Sequence, residues 1–306
     1  MTGTVAPTRR SRAMRLPLLA SLFLATAAPG QQPTQQQAAD PQADTSVAHP
    51  AYPAAQGPLV AIDQGHGEFH TLAGRYAPFA AVLRADGYRL AAIETPLSAE
   101  TLTGVSVLVI ANATARGSWQ PAEIDAVHRW VEGGGSLLLI ADHMPFGAAT
   151  NPLAERFGIH FDNGFAFQKN RGPESFTRRN GLLLDGPLTA AHGHQKAIDE
   201  VYAFTGTAFT APPSATIVMR LGPGWSILSP AIPWQFDGAP SRPSTEADLR
   251  GAILDIGKGR LAVFGEAAMF TAQRSVRGGT MGFNYPKATK NKAFLLNTLH
   301  WLSRTG

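Results

Sequence analysis

The strongest constraint on this chain is a set of short, wholly apolar runs, each bounded by Gly or polar residues and ending in a side chain that can hold a proton or a metal. Leu59-Val60-Ala61-Ile62 ends in Asp63, Ser136-Leu137-Leu138-Leu139-Ile140 ends in Ala141-Asp142-His143, and Leu261-Ala262-Val263-Phe264 ends in Gly265-Glu266. Short apolar runs without alternation are the form of strands buried on both faces, as in a parallel sheet covered by helices. The segments between them read as helices. Tyr76, Phe79, Ala80 and Leu83 recur at three and four before the stop Asp86-Gly87. Gln120-Pro121-Ala122-Glu123 opens a helix with the apolar face Ile124, Val127, Trp130 and Val131, and Gly133-Gly134-Gly135 closes it. Strands are expected over 88–93 and 105–110, with a short capped helix over 98–103. Such alternation predicts an α/β fold with a doubly wound, mostly parallel sheet.

After His143 the pattern loosens into a short helix near 152–157 and a polar, Gly-rich stretch through Gly181, which reads as a cover over the strand ends. Residues 201–209, 215–221 and 225–228 read as an antiparallel β extension. Residues 251–265 form a hairpin around Gly257-Lys258-Gly259 whose second strand returns to the sheet, and 291–303 form a closing helix with Phe294, Leu295, Leu299 and Leu302 on one stripe.

Arg9, Arg10, Arg12 and Arg15 precede an apolar stretch over 16–28 and then Pro29-Gly30, so residues 1–30 are expected to be a signal peptide. Its core is too short for a stable membrane anchor, and no membrane span is expected once it is cleaved. Arg9-Arg10 resembles a twin-arginine pair while Met14 offers an alternative start, so the export route stays open. Residues 31–57, rich in Gln, Ala, Pro and Asp, are expected to form a disordered linker, with one large domain over 58–306. The product is then periplasmic or secreted. The net charge of +4 resides in the leader's arginines, and the remainder, balanced and without a basic stripe, predicts no nucleic-acid partner. The chain has no Cys, which excludes disulfides and thiol nucleophiles.

The Asp-Gln-Gly-His-Gly-Glu-Phe-His segment from Asp63, the Trp-Val-Glu-Gly-Gly-Gly-Ser-Leu-Leu-Leu-Ile-Ala-Asp-His segment from Trp130, the Gly-Lys-Gly-Arg-Leu-Ala-Val-Phe-Gly-Glu segment from Gly257 and the Asn-Lys-Ala-Phe-Leu-Leu-Asn-Thr-Leu-His-Trp-Leu tail resemble the class I glutamine amidotransferase-like superfamily, and within it a bacterial branch of unknown function. The resemblance spans 59–303 and implies a flavodoxin-like three-layer sandwich. Glutaminase chemistry in that superfamily needs a Cys on a strand-to-helix elbow, so the activity does not transfer to this chain. No Ser stands in a G-x-S-x-G elbow either.

Ligands of open parallel sheets bind outside the carboxyl ends of the strands. His66, His143 and Glu266 are therefore the candidate catalytic residues, and Asp63, Glu68, His70 and Asp142 the candidate ligand-binding residues. Imidazole and carboxylate in convergent sets suit a divalent metal ion, for which Asp63, His66, His70, Asp142 and His143 are the candidates. The spelling differs from H-E-x-x-H, and Gly65 and Gly67 make the segment a loop rather than a helix. An Asp at a strand end also serves as a cap or a partner for loop amides. His192, His194, Arg171, Arg178 and Arg179 read as solvated loop residues, His128 as surface, and His300 as a partner of helix-end carbonyls. Two functions stay open: an exported hydrolase acting on a small polar substrate, with or without a metal, and a non-catalytic periplasmic domain holding a small ligand, a glycan fragment or a partner protein.

Overall fold

The computed structural model describes residues 1–4, 37–115, 117–168, 172–191, 193–194, 197–276 and 278–305. The expected signal peptide lies outside these residues apart from 1–4. Contacts separate 1–35 from a unit spanning 36–306, and every described strand and helix lies in the latter.

The apolar runs form the strands β1 (Leu59–Asp63), β2 (Arg89–Ile93), β3 (Val107–Ala111) and β4 (Ser136–Ile140), with helices α1 (Ala77–Ala85) and α2 (Pro121–Glu132) between them. Helix α3 (Phe146–Ala154) follows, then the hairpin of β5 (Leu249–Ile256) and β6 (Gly259–Phe264), and α4 (Asn291–Ser303) closes the chain. The strands lie in the order β2-β1-β3-β4-β6-β5 within a nine-stranded sheet that continues through Phe209–Thr210 and His160–Phe161, while Thr216–Arg220 also pairs with β5. Pairing is parallel from β2 to β6 and turns antiparallel at the hairpin. The fold is thus α/β with a mixed, mostly parallel central sheet and additional small antiparallel sheets, among them Trp225–Leu228 between Phe165–Gln168 and Ser241–Pro243.

The two-sided burial explains the absence of alternation in the sequence. Val60, Ile62, Val107, Val109, Leu138, Ile140 and Phe264 pack with Phe79, Val82 and Leu83 of α1 and Phe294, Leu295 and Leu299 of α4. The alternate residues Ala61, Leu108, Ile110, Leu137, Leu139 and Val263 pack with Val127 and Val131 of α2 and Leu153 of α3. Each of these residues therefore meets a helix on one face of the sheet or the other. The hairpin turn seats against the exit of α2: a Cβ on Gly259 would lie 2.0 Å from Val131 O and 2.2 Å from Gly135 O, so the backbone approach requires glycine there.

Several expectations need correction. Residues 37–57 are not a disordered linker: Gln37–Ala39 pairs with Ala272–Ser275, Asp40 accepts from Arg274 Nε at 2.8 Å and Asn284 Nδ2 at 2.9 Å, and Lys292 Nζ reaches Asp44 Oδ2 and Ser46 O, both at 2.9 Å. Backbone pairing and polar anchoring hold this segment, and composition, which counts large apolar side chains, is blind to both. The helix expected over 98–103 is a turn in which Ser98 and Thr101 exchange hydrogen bonds before Gly104, at φ 75°, ends it. The strand expected over 201–209 divides into Glu200–Ala203 and Phe209–Thr210. Gly206, between them, crosses the Arg250 side chain so closely that a Cβ would lie 1.9 Å from Nη1. His300 does not serve helix-end carbonyls; its Nε2 lies 2.6 Å from the buried Asp86 carboxylate. Among the described residues, no helix is long and apolar enough to cross a membrane.

Candidate functional site

Asp63 ends β1 fully buried, and its carboxylate turns the chain: Oδ1 accepts the Gly65 N–H at 3.1 Å and Oδ2 lies 2.7 Å from His66 Nδ1. Gly67, at φ 65°, folds the loop back on itself. The other ring nitrogen of His66, Nε2, lies 3.2 Å from Glu123 Oε1, and the imidazole stacks on Trp119 with ring centres 3.7 Å apart. Glu123 is the third residue of α2. Its Oε2 accepts the Gln120 N–H at 3.1 Å in a capping box, and its Oε1 accepts the Leu97 N–H at 2.9 Å. Burial pulls the His66 pKa down, but Asp63 and Glu123 together outweigh it and raise the value, so the two carboxylates favour the imidazolium form of the ring between them. Glu68 Oε2 accepts the His66 N–H at 3.0 Å, while Oε1 lies 3.9 Å from His66 Nδ1 and has no hydrogen-bond donor among the described residues. Burial, and then contact with Asp63, push the Glu68 carboxyl up to about 9, which leaves it protonated at neutral pH.

A second group assembles at the ends of β3 and β4. Asn112 follows β3 in the left-handed region, at φ 62°. Its Oδ1 accepts the Asp142 N–H at 2.8 Å, which fixes the orientation of the amide and turns Nδ2 toward His70 Nδ1 at 3.1 Å. An amide NH2 only donates, so Nδ1 accepts and the neutral His70 ring carries its proton on Nε2. That nitrogen is buried and has no acceptor among the described residues. Burial first, then the charges of Arg75 and His143, hold the His70 pKa well below the usual histidine value. The Arg75 guanidinium lies 4.1 Å over the Phe69 ring and reaches Gln37 Oε1 at 3.3 Å; burial lowers its pKa to about 10 against the opposing charge of Asp142.

Asp142 Oδ1 accepts the His143 N–H at 2.8 Å. His143 Nδ1 lies 2.8 Å from the Met144 carbonyl and therefore donates to it, which leaves the Nε2 lone pair as the ring's basic position. The ring stacks on Phe165 at 4.6 Å and meets Trp234 edge to face at 4.6 Å. Glu266 is fully buried, and its two oxygens accept the N–H groups of Ala268 and Met269 at 2.9 and 2.8 Å. Burial and then the Asp142 charge push its pKa well up.

The strand-end residues thus fall into two groups: Asp63, His66 and Glu68 with Glu123, and His70, Asp142 and His143 with Asn112 and Arg75. The loop 65–70 belongs to both, since Phe69 N–H bonds Asn112 O at 3.0 Å and His66 O accepts from Thr114 N at 3.1 Å. Glu266 senses the charge of Asp142 but is tied down as a cap. Sequence reasoning missed Asn112, although it follows an apolar run as Asp63 does. It also missed the second role of Glu123, visible only as a capping residue, and Arg75, for which the sequence carries no signal. Of the loop residues set aside, His194 stacks on His49 at 4.3 Å and Arg178 pairs with Asp185 at 2.9 Å, while His128, within α2, is half-buried rather than at the surface and lies 3.2 Å from Glu132. His192 and Arg171 lie outside the described residues.

The chain is similar in fold to the N-terminal domain of mmIFT52, with a TM-score of 0.57 at 17% identity over 80% of this chain and 97% of that one. It is also similar to a cytoplasmic protein of Salmonella typhimurium LT2, with a TM-score of 0.52 at 13% identity over 80% and 99%. A ThuA-like protein of Bacteroides uniformis aligns at 12% identity over 84% and 93%, with a TM-score of 0.43 that is too low to argue from. No curated protein matches the sequence. Residues 59–277, which hold the ends of β1, β3, β4 and β6, match the family model of the IFT52 GIFT domain. The chain belongs to the IFT52 GIFT domain family.

Proposed function

We propose that this chain is an exported, periplasmic or secreted domain that binds a small polar ligand at the carboxyl edge of its sheet, through an acceptor oxygen of the ligand placed on His70 Nε2–H. The observation that carries this reading is the buried His70 donor without a partner among the described residues. A buried donor left unpaired costs about 1–3 kcal/mol, which a carboxylate, carbonyl or hydroxyl oxygen would recover. Arg75 supports an oxygen-rich or anionic ligand, and Trp234, Phe165 and His143 supply an apolar wall beside it. We assign the domain to the class I glutamine amidotransferase-like superfamily with a flavodoxin-like three-layer architecture, in a branch that has lost the glutaminase Cys.

The test is a thermal-shift panel of carboxylates, phosphates and glycan fragments on wild type, His70→Phe and Arg75→Met. The expected result is a ligand class that raises the wild-type midpoint and not that of His70→Phe. Equal shifts in wild type and His70→Phe refute the reading.

A second reading is a hydrolase acting on a small polar substrate. The orientation of His143 favours it, because the Met144 carbonyl holds the Nδ1 proton and leaves Nε2 to take a proton from water or a hydroxyl. In that reading His66 acts electrostatically, since both its nitrogens are engaged, and Glu266 holds the turn at Ala268 and Met269. Turnover lost in His143→Gln without loss of ligand binding separates the two.

A further inference from the structure

The group at the end of β1 brings two carboxyl groups to one imidazole nitrogen in a buried loop. Asp63, His66 and Glu68 are 0%, 3% and 6% exposed, and one oxygen or nitrogen from each lies within 4.8 Å of the others. Asp63 and His66 are each hydrogen-bonded, but Glu68 Oε1 has no donor among the described residues and faces the same nitrogen from 3.9 Å. We propose that Asp63 Oδ2, His66 Nδ1 and Glu68 Oε1 are ligands of a divalent transition-metal ion, with Glu123 as the carboxylate behind the histidine.

The donor set defines the class of ion. One imidazole nitrogen and two carboxylate oxygens suit Zn²⁺ or Mn²⁺, whereas Ca²⁺ and Mg²⁺ take oxygen ligands and copper(I) takes thiolate or thioether. The geometry needs little change. Bonds of about 2.0 Å in a tetrahedral site place ligand atoms about 3.3 Å apart, and the present separations from Nδ1, 2.7 Å to Asp63 and 3.9 Å to Glu68, bracket that value. The far nitrogen already sits 3.2 Å from Glu123 Oε1, the outer carboxylate that orients metal-bound histidines and raises their basicity. Coordination releases two protons to solvent, the one between Nδ1 and Asp63 and the carboxyl proton of Glu68, while His66 keeps its Nε2 proton and donates it to Glu123. Gly117 closes the loop over the group: a Cβ there would lie 2.2 Å from His66 Cα. A covered site of this kind fixes the 63–70 loop, which also carries His70, and it stands independently of the ligand-binding reading.

The experiment uses the full chain stripped with a chelator, with Zn²⁺ and Co²⁺ as probes, followed by calorimetry, elemental analysis and visible absorption. The expected result is one equivalent of Zn²⁺ bound and visible Co²⁺ bands. Both should be lost in Glu68→Gln, and affinity should be about 10- to 100-fold weaker in Glu123→Gln. His194→Ala is the control for the exposed His49–His194 pair and should bind as wild type does. Absence of binding in stripped wild type, binding that survives Glu68→Gln, or binding lost in His194→Ala overturns the proposal. Should Glu68→Gln not fold, the ring ¹⁵N shifts of wild type decide. Movement of the His66 Nδ1 signal on Zn²⁺ addition supports the site, and an unmoved signal refutes it.

Discussion

Replacing Asn112 tests the reasoning that fixes the proton on His70. Its amide oxygen satisfies the Asp142 N–H at 2.8 Å and its NH2 satisfies His70 Nδ1 at 3.1 Å, and Asn112, His70 and Asp142 are only 1%, 2% and 8% exposed. Asn112→Ala leaves both partners buried and unpaired, at about 1–3 kcal/mol each. Alanine at φ 62° adds about 1–2 kcal/mol of backbone strain. The expected loss is about 3–8 kcal/mol by urea denaturation, with Asn112→Gly less destabilised than Asn112→Ala because glycine tolerates this φ. Asn112→Asp keeps an acceptor for the Asp142 N–H but presents a second acceptor to His70 Nδ1. The ring must then protonate at Nδ1, and Nε2 turns from donor to acceptor. Long-range ¹H–¹⁵N spectra of the histidine rings read this directly: wild-type His70 should show the Nε2–H tautomer and Asn112→Asp the Nδ1–H tautomer, with ligand affinity lost in the variant. A wild-type Nδ1–H tautomer, or an Asn112→Ala cost below about 1 kcal/mol, refutes the reasoning.

Glu174, 2% exposed, has its pKa raised to about 8 by burial, against the opposing charge of Arg250. A carboxyl whose folded pKa is raised makes the folded state lose stability as pH climbs from the unfolded value near 4.5 to about 8. Glu174→Gln should therefore gain on wild type across that window, by at most about 5 kcal/mol, and urea midpoints at both ends of it would show an unchanged gap if the burial argument is wrong. Asp248 behaves oppositely: burial opposes ionisation, but the two-pronged contact with Arg242 at 2.8 and 2.7 Å and the Thr245 bonds outweigh it and lower the pKa. Its stabilisation is present above the unfolded value of 3.8 and is lost as pH falls through the depressed folded one. Asp248→Asn should cost about 1–3 kcal/mol at pH 7, and the cost should shrink in acid; a pH-independent cost counts against the pairing. Gly259→Ala drives a methyl into two backbone carbonyls and should destabilise by about 3 kcal/mol or more, read as a lowered thermal midpoint.

The parallel core was legible because a strand buried on both faces must be apolar at every position, and β1, β3 and β4 satisfy this without exception in their central residues. The closing helix and the hairpin were legible for related reasons: a single apolar stripe, and glycines where backbones touch. What escaped was held by polar contacts between residues distant in sequence. Gln37–Ala39 is fixed by strand pairing with Ala272–Ser275, and Asp40 by Arg274, so a stretch poor in apolar residues is nevertheless ordered. The same limit governs the site. A polar residue after an apolar strand marks Asp63, Asp142 and Glu266 as candidates, yet their roles depend on what their lone pairs meet. Both oxygens of Glu266 are taken by the N–H groups of Ala268 and Met269, a local motif that spacing alone does not distinguish from a proton carrier. His66 and His70, four apart in one loop, are shifted in opposite directions because Asp63 and Glu123 raise the pKa of the first, while burial lowers that of the second and Asn112, 42 residues beyond it, donates an N–H to its Nδ1. Residue type at a strand end therefore identifies where chemistry can happen, and the tertiary partner of each ring nitrogen decides which chemistry that is.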